Sequence, residues 1–243
     1  MNIKILLVSG FINFFLFTSS VEAVKIDGFL TEQTAPDSAA ILPPPPDEDS
    51  VAFQADKARY ESGRILRNPA RTKLAAEDAH YKHFGQAFSS AFGMEISENH
   101  TPELYHLISK VLQDSHDYAM RGAKERYKRL RPFVFYKDTT CTPQKDSGMA
   151  VTGSYPSGHA SFGWVTALIL AEINPERATE IIQRGYEFGE SRVVCGAHWQ
   201  SDVDAGRIMG AVVIAALHAN PEFENQLQKA KKEFLILNVK KEK

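Results

Sequence analysis

Two stretches of the chain are apolar almost all the way round a helix, and they restrict its fold more than any other feature. They run from Ala160 to Glu172 and from Val203 to Leu217. A helix that is hydrophobic on every side has to be buried, so both stretches predict central helices of a core. Apolar residues at helical spacing also mark an earlier segment, at Leu104, Ile108, Val111, Leu112 and Tyr118.

From about Val51 onward the pattern is helical almost throughout. Pro175 and Pro221 stand where new helices are expected to begin, because proline favours the first position of a helix. The tetrapeptide from Phe133 to Tyr136 is compatible with a short strand, but no segment alternates apolar and polar residues over a useful length. The sequence therefore predicts an all-α fold, a single-domain helical bundle with two central buried helices.

The first 23 residues have the pattern of a secretory signal peptide. Lys4 gives a positive start, Ile5 to Phe17 is an apolar core, and Val21 to Ala23 offers small residues for cleavage. Cleavage after Ala23 would make Val24 the first residue of a periplasmic or secreted protein. A membrane anchor is the alternative, but the apolar run is too short to cross a bilayer comfortably.

A proline-rich arm separates this leader from the helical region. Pro43 to Pro46 favour an extended polyproline conformation within residues 24–50, so the folded domain is predicted over residues 51–243. That length suits one domain with a sizeable core. The net charge of −2 argues against a general binder of polyanions such as nucleic acid, and no further apolar run is long enough to span a membrane.

The two cysteines, Cys141 and Cys195, are an even number in a chain that is expected to be exported. One disulfide between them fits that compartment. Two buried free thiols are the alternative, since a buried cysteine can pack as a small apolar residue.

Five basic residues fall within the segment KERYKRLRP, which starts at Lys124. Most such runs are solvated faces of helices. Here Lys124 and Arg131 are seven residues apart, nearly two turns, and are predicted to share one helical face. Pro132 disfavours helix at Arg131, so this arginine is expected at a helix end, where both cations could converge on an anion.

The segment GSYPSGH places a turn with glycine and proline before the first apolar helix. The N–H groups of Ser157, Gly158 and His159 would open that helix, and such an end binds anions readily. Simple capping by Ser157 is one alternative. A serine triad of Ser157, His198 and Asp202 is another, although the G-x-S-x-G pattern around a nucleophilic serine is absent.

The segment SRVVCGAHWQSDVD lies just ahead of the second apolar helix and holds Arg192, His198 and Asp202. A histidine four residues before an aspartate can lie on the same helical face, within reach of a hydrogen bond. Asp204 competes with Asp202 for that role. Taken alone, the segment is also explained by an ordinary helix start with Ser201 as N-cap.

In chain order the three segments have the form K-x6-R-P, P-S-G-H and S-R-x5-H-x3-D. This signature resembles that of the phosphatidic-acid-phosphatase type 2 superfamily, and every position of it is present. The strings LPPPP, GSYPSGH and CGAHWQSDVDAGR are similar to those of the bacterial class A non-specific acid phosphatases in particular. The resemblance extends from about Leu42 to Leu217.

The resemblance implies a role for each residue of the signature. His198 would attack phosphorus and form a phosphohistidine, Asp202 would hold its other ring nitrogen, and His159 would protonate the leaving group. The implied ligands of the substrate phosphate are Lys124, Arg131, Ser157, Gly158 and Arg192. Phosphoryl transfer needs mainly positioning and charge stabilisation, which three cations and a helix N-terminus can supply without a metal or another cofactor.

We therefore expect an exported, metal-independent phosphomonoesterase of broad specificity, acting on small phosphomonoesters at mildly acidic pH, in a family that commonly forms homodimers. Phosphate transfer to an alcohol and hydrolysis of nucleoside di- or triphosphates are alternatives at the same site. A vanadium-dependent haloperoxidase shares the anion pocket but tends to be a longer chain. A lipid phosphatase would need membrane helices, and a phosphate-binding protein would not need His198 paired with Asp202.

His80 and His83 could suggest a metal site, but two histidines without further ligands nearby are usually surface residues. No metal ligands are therefore assigned.

Overall fold

The computed structural model describes residues 27–241, and the predicted signal peptide and its cleavage site lie outside them. Within that range the chain is helical and contains no strand, which confirms the all-α prediction. The α-helices are α1 (Ser38–Ile41), α2 (Val51–Ile65), α3 (Pro69–Asp78), α4 (Phe84–Phe92), α5 (Pro102–Leu112), α6 (Arg121–Tyr127), α7 (Pro132–Phe135), α8 (Asp146–Ala150), α9 (Gly158–Ile173), α10 (Ala178–Cys195), α11 (Gln200–His218) and α12 (Pro221–Lys241). Short 3₁₀ helices cover Tyr81–His83, Pro143–Lys145 and Pro175–Arg177, and a π-helical segment covers Gln113–Tyr118.

The two apolar stretches form α9 and α11, and both are central. α9 packs most extensively against α10 and α11, and its buried residues are spread along its whole length. A helix that is apolar all round is most stable when neighbours cover every face, because each uncovered face leaves apolar surface in water. The position of α9 therefore fixes the positions of α10 and α11, which carry the third signature segment.

A glycine allows α11 to approach the start of α9 closely. A Cβ atom on Gly206 would collide with the carbonyl oxygen of Ser157, so a larger residue would push the helices apart. The N–H of Ser157 in turn donates to the carbonyl oxygen of Asp202 at 2.9 Å. This crossing brings the second and third signature segments together.

The C-terminal end of α10 is held by a glycine, an arginine and a disulfide. α10 stops at Cys195 because Gly196 adopts φ +78°, in the left-handed region that favours glycine. Arg67 donates from Nε to the carbonyl of Val194 at 2.7 Å. Cys195 is bonded to Cys141, as predicted, across a sequence separation of 54 residues. The chain-entropy estimate for a loop of this size is roughly 4 kcal/mol of stabilisation.

Lys124 and Arg131 do not lie on one helix, so the predicted shared face is wrong. α6 ends at Tyr127, Lys128 adopts φ 44°, and Arg131 lies in extended backbone as the N-cap of α7. Pro132 does place Arg131 at a helix end, but it is the start of the next helix. That helix, α7, includes Phe133 to Phe135, the first three residues of the tetrapeptide whose sequence is compatible with a strand.

The described part of the arm packs against the helices rather than extending away from them. Phe29, Leu30 and Leu42 are buried in the main hydrophobic core. The hydroxyl of Tyr155 donates to the carbonyl of Pro43 at 2.9 Å. Between residues 27 and 241, no helix combines the length and the apolar character needed to cross a bilayer.

Candidate active site

The three signature segments meet at one cavity of about 990 Å³. Six of the residues predicted for the site line it, namely Lys124, Arg131, Gly158, His159, Arg192 and His198. Ser157 and Asp202 are fully buried and do not line the cavity. Ser157 is the N-cap of α9, and its Oγ accepts from the N–H of Ala160 at 3.3 Å. Asp202 lies in the first turn of α11, behind His198.

The three basic residues predicted for the site reach this cavity from three different elements. Burial is the main cause that lowers the pKa of Lys124 to about 7 and those of Arg131 and Arg192 to about 10, and the charge of Arg131 contributes to the lowering for Lys124 and Arg192. An anion placed among these groups would oppose both effects, because it attracts each charge and replaces lost hydration. The cavity is therefore built to take an anion.

Arg192 gives this anion site its sharpest feature. It is 1% exposed at the end of α10, and its Nε and Nη1 atoms have no hydrogen-bond partner among residues 27–241. A buried guanidinium donor without an acceptor is costly, whereas a phosphate oxygen can accept from two of its N–H groups at once. Arg192 is thus suited to bind a tetrahedral oxyanion.

The first turn of α9 faces the same space. Gly158 and His159 line the cavity at the N-terminus of this helix. The N–H groups of a first helical turn have no partner within the helix, and the helix dipole places partial positive charge there. The predicted anion-binding helix end is therefore positioned at the cavity, through Gly158 and His159.

The ring of His198 is held in one tautomer by its neighbours. Arg131 Nη1 lies 2.9 Å from His198 Nε2. A guanidinium can only donate, so Nε2 must be the accepting nitrogen and the proton lies on Nδ1. Burial, followed by the charges of Arg131, Lys124 and Arg192, lowers the pKa of His198 well below its ordinary value. His198 is thus a neutral imidazole whose lone pair on Nε2 lies beside the cations of the cavity.

Asp202 lies on the Nδ1 side of this ring, but not on a helical face shared with His198, as the spacing had suggested. His198 lies ahead of α11, which begins at Gln200, so the two residues do not share a helix face. Asp202 Oδ2 is 3.5 Å from His198 Nδ1. Ser154 lies between them, with its Oγ 2.5 Å from Asp202 Oδ2 and 3.3 Å from His198 Nδ1. The carboxylate and this hydroxyl together face the Nδ1 proton.

Ser154 is a site residue that the sequence analysis missed, and it bears on the serine-triad alternative. A serine triad needs the hydroxyl on one ring nitrogen and the carboxylate on the other. Here Ser154 and Asp202 both face Nδ1, while Nε2 faces Arg131. Ser157 Oγ is directed to its own helix as a cap. The geometry disfavours a serine nucleophile.

His159 belongs to a cluster of three aromatic rings that line the cavity. Its ring centroid lies 5.0 Å from that of Tyr81 and 5.1 Å from that of His116, and all three residues line the cavity. Its Nε2 is 3.4 Å from the carbonyl oxygen of Ala79. Burial, then the charges of Arg192 and His116, lower the pKa of His159 well below its ordinary value. Tyr81 and His116 carry no motif that points to this position.

Three other candidates from the sequence do not line the cavity, namely Asp204, His80 and His83. Asp204 is exposed and pairs with Arg207 at 2.8 Å, so it does not compete with Asp202. The rings of His80 and His83 stack 5.5 Å apart. Across residues 27–241, no group of three or more His, Cys, Asp or Glu side chains is arranged to hold a metal ion.

The lowered pKa values lead to a prediction about pH. We expect sulfate, whose charge is constant over the range, to bind roughly tenfold more tightly at about pH 6 than at about pH 8. The reason is that a bound anion raises the pKa of Lys124 from about 7 and that of His159, so binding takes up protons and strengthens as pH falls. Isothermal titration calorimetry measures the affinity.

A matched pair of lysines serves as the control. Lys124→Met should flatten the pH dependence of sulfate binding, whereas Lys128→Met should leave it steep, because Lys128 is an exposed lysine on the same cavity wall. An affinity that does not change between the two pH values in the unaltered protein would contradict the prediction.

Comparison with known proteins places this site in context. Residues 105–225 match the PAP2 superfamily. The chain is 51% identical over 211 residues to a non-specific acid phosphatase of Providencia stuartii, covering 86% of this chain and 85% of that protein. It is 42% identical over 213 residues to a non-specific acid phosphatase of Salmonella typhimurium, covering 87% and 85% of the two. It is also 42% identical over 199 residues to an acid phosphatase of Zymomonas mobilis, covering 81% and 75%.

Proposed function

The chain belongs to the PAP2 superfamily and is a bacterial class A acid phosphatase, and from this premise we propose that it is an exported, metal-independent phosphomonoesterase acting through a phosphohistidine on His198. Its broad specificity follows from a site that recognises the phosphate and encloses the rest of the substrate in a wide cavity. Export is supported by residues 1–23 and by the Cys141–Cys195 disulfide, since disulfides persist in oxidising compartments.

In the first step the phosphate group lies among Lys124, Arg131 and Arg192, beside the N-terminus of α9. The phosphate accepts the N–H of Arg131 that His198 Nε2 accepts in its absence. The lone pair freed on Nε2 then forms a bond to phosphorus as the bond from phosphorus to the leaving oxygen breaks. The leaving alkoxide takes the proton of His159. The positive charge that develops on the His198 ring is balanced by Asp202 through the Nδ1 proton.

In the second step a water molecule attacks the phosphorus of the phosphohistidine. His159, now neutral, takes a proton from that water. The bond between phosphorus and Nε2 breaks, and its electron pair returns to the His198 ring. Inorganic phosphate leaves, and both histidines regain their starting states. Attack by an alcohol in place of water would give phosphate transfer.

The cations account for the absence of a metal in this scheme. Lys124, Arg131 and Arg192 supply the positive charge that stabilises the transferring phosphoryl group, as metal ions do elsewhere. Ser157 contributes by capping α9, and a direct contact of its hydroxyl with phosphate is kept as a prediction from the family resemblance.

One observation supports the mechanism most strongly. His198 presents Nε2 to Arg131 at 2.9 Å while its Nδ1 faces Asp202 and Ser154. The lone pair on Nε2 therefore lies beside the groups that would hold the phosphate. A protein that only binds phosphate has no use for a neutral histidine fixed in this tautomer.

Trapping the phosphoenzyme tests the proposal. A reaction with phosphorus-32-labelled p-nitrophenyl phosphate in excess EDTA, quenched in alkali, should leave label on the protein in a bond that is stable in base and labile in acid. Peptide mapping should place the label on His198. Label on a serine in a base-labile bond, or a requirement for added divalent metal, would reject the mechanism.

A further inference from the structure

A buried chain of ion pairs runs from Asp202 through Arg129 to Asp56, and the signature specifies neither Arg129 nor Asp56. Arg129 Nη1 donates to Asp202 Oδ1 at 2.6 Å, and Arg129 Nη2 donates to Asp56 Oδ2 at 2.7 Å. The side chains of Asp56 and Asp202 are 3% and 0% exposed, and that of Arg129 is 8% exposed. Asp56 comes from α2, so a helix outside the three signature segments reaches the site.

The two oxygens of Asp202 have different hydrogen-bond partners. Oδ1 accepts from Arg129, whereas Oδ2 accepts from the N–H of Trp199 at 2.8 Å and from Ser154 Oγ at 2.5 Å. Oδ2 is also the oxygen near His198 Nδ1. A carboxylate held at both oxygens cannot rotate, so the direction in which Oδ2 faces the imidazole is fixed.

Asp56 holds Arg129 in turn. One oxygen of Asp56 accepts from the N–H of Ser201 at 2.9 Å, and the other accepts from Ser201 Oγ at 2.5 Å and from Arg129. Arg129 Nη1 also donates to Ser201 Oγ at 2.7 Å. Nη1 and Nη2 of Arg129 therefore both donate to side chains of the protein, although Arg129 lines the cavity.

The net charge of these linked ion pairs suits phosphoryl transfer. Two carboxylates and one guanidinium leave one net negative charge behind the ring of His198. Without Arg129 two buried carboxylates would lose the cation that they share, which is strongly unfavourable. With it, a single negative charge stands ready to balance the positive charge that forms on His198 as it becomes phosphorylated.

We infer that Arg129, held by Asp56, is a positioning residue for phosphoryl transfer that acts through Asp202 on the orientation of His198. This inference rests on the proposed phosphohistidine mechanism. Arg129 does not need to touch the phosphate for this role, so its loss should affect kcat and leave binding of substrate and sulfate largely unchanged.

The test uses conservative variants, because Arg129→Met would leave two buried carboxylates together and could prevent folding. Arg129→Lys keeps one charge and loses the fork, and Asp56→Asn keeps the shape and loses the charge. We expect each to lower kcat roughly tenfold to a hundredfold, since small misplacement of reacting groups costs that much. KM and the sulfate dissociation constant should change less than about threefold.

Glu190→Gln is the matched control. Glu190 is also a buried carboxylate that joins an arginine of α2 to α11, accepting from Arg59 at 2.8 Å and from Gln200 at 2.9 Å. In the described part of the chain none of its hydrogen bonds involves Asp202. Glu190→Gln should lower the melting temperature as much as Asp56→Asn does and keep kcat.

A double-mutant cycle then separates positioning from a structural role. In an Asp202→Asn background, Arg129→Lys should cause little further loss of kcat, because its path of action is already removed. If the kcat loss of the double variant equals the product of the two single losses, the residues act independently and the inference is overturned. An Arg129→Lys variant whose sulfate affinity falls as far as its kcat would also overturn it.

Nitrogen-15 NMR of the His198 ring gives a readout that does not depend on turnover. The unaltered protein should show the proton on Nδ1, and Asp56→Asn should keep this tautomer but shift the Nδ1 and Nδ1–H resonances, because Asp202 Oδ2 is no longer held in place beside them, while Glu190→Gln should not shift them. Nδ1 resonances that are the same in Asp56→Asn as in the unaltered protein would also overturn the inference. Label trapped on a serine instead of His198 would reject the proposed mechanism. Label trapped on His198, together with kcat losses that multiply across the cycle, would reject only the role of Arg129.

Discussion

Replacing His198 with alanine should lower kcat by about three orders of magnitude or more, because it removes the atom that forms the bond to phosphorus. The loss should be nearly the same for good and poor leaving groups, since neither can be displaced without a nucleophile. Steady-state hydrolysis of p-nitrophenyl phosphate and of an alkyl phosphate measures it. No label should be trapped on the variant protein.

Binding distinguishes lost chemistry from lost structure in this experiment. Lys124, Arg192 and the N-terminus of α9 remain in the His198→Ala variant, so sulfate should still bind within about threefold of its original affinity. His100→Ala, a change at an exposed histidine, is the control for the loss of an imidazole and should keep full activity. A His198→Ala variant that binds sulfate and retains more than about a tenth of kcat would show that another group attacks.

The fold could be predicted as far as local pattern determines it. α9 and α11 follow from stretches that are apolar all round, and the helix at Pro221 begins where proline favours a start. The segment from Lys124 to Arg131 could not be placed in this way. Its residues suit a continuous helix, and their helix propensity gives no sign of the left-handed turn at Lys128 that ends α6.

The site could be predicted only where residues stand close together in the sequence. Six of the predicted residues reach the cavity, because the signature segments carry them. Asp56 lies on a helix whose pattern gives no sign of the site, and its role arises only when α2 packs beside α11. Tyr81 and His116 come to His159 in the same way, from a 3₁₀ turn and a π-helical segment. Ser154 is part of a recognised string, but its contact with Asp202 spans 48 positions and depends on the crossing at Gly206.

Replacing His159 with asparagine should separate substrates by their leaving groups. A general acid contributes about two to four orders of magnitude when the leaving oxygen is a poor one, and little when it leaves readily as an anion. We therefore expect hydrolysis of an alkyl phosphate to fall roughly a hundredfold more than hydrolysis of p-nitrophenyl phosphate. The ratio of kcat/KM for the two substrates, compared between the variant and the original protein, measures the effect.

His116→Asn is the matched control, because His116 belongs to the same ring cluster and lines the same cavity. The charge of His116 lowers the pKa of His159, so the His116→Asn change should make His159 easier to protonate. The alkaline limb of the pH profile should therefore move to higher pH, and the ratio of kcat/KM between the two substrates should stay the same. His159→Asn should instead remove the dependence on a protonated histidine for alkyl phosphates altogether. Equal losses on both substrates in His159→Asn would rule out His159 as the proton donor, and a substrate ratio that shifts only in His116→Asn would assign that role to His116.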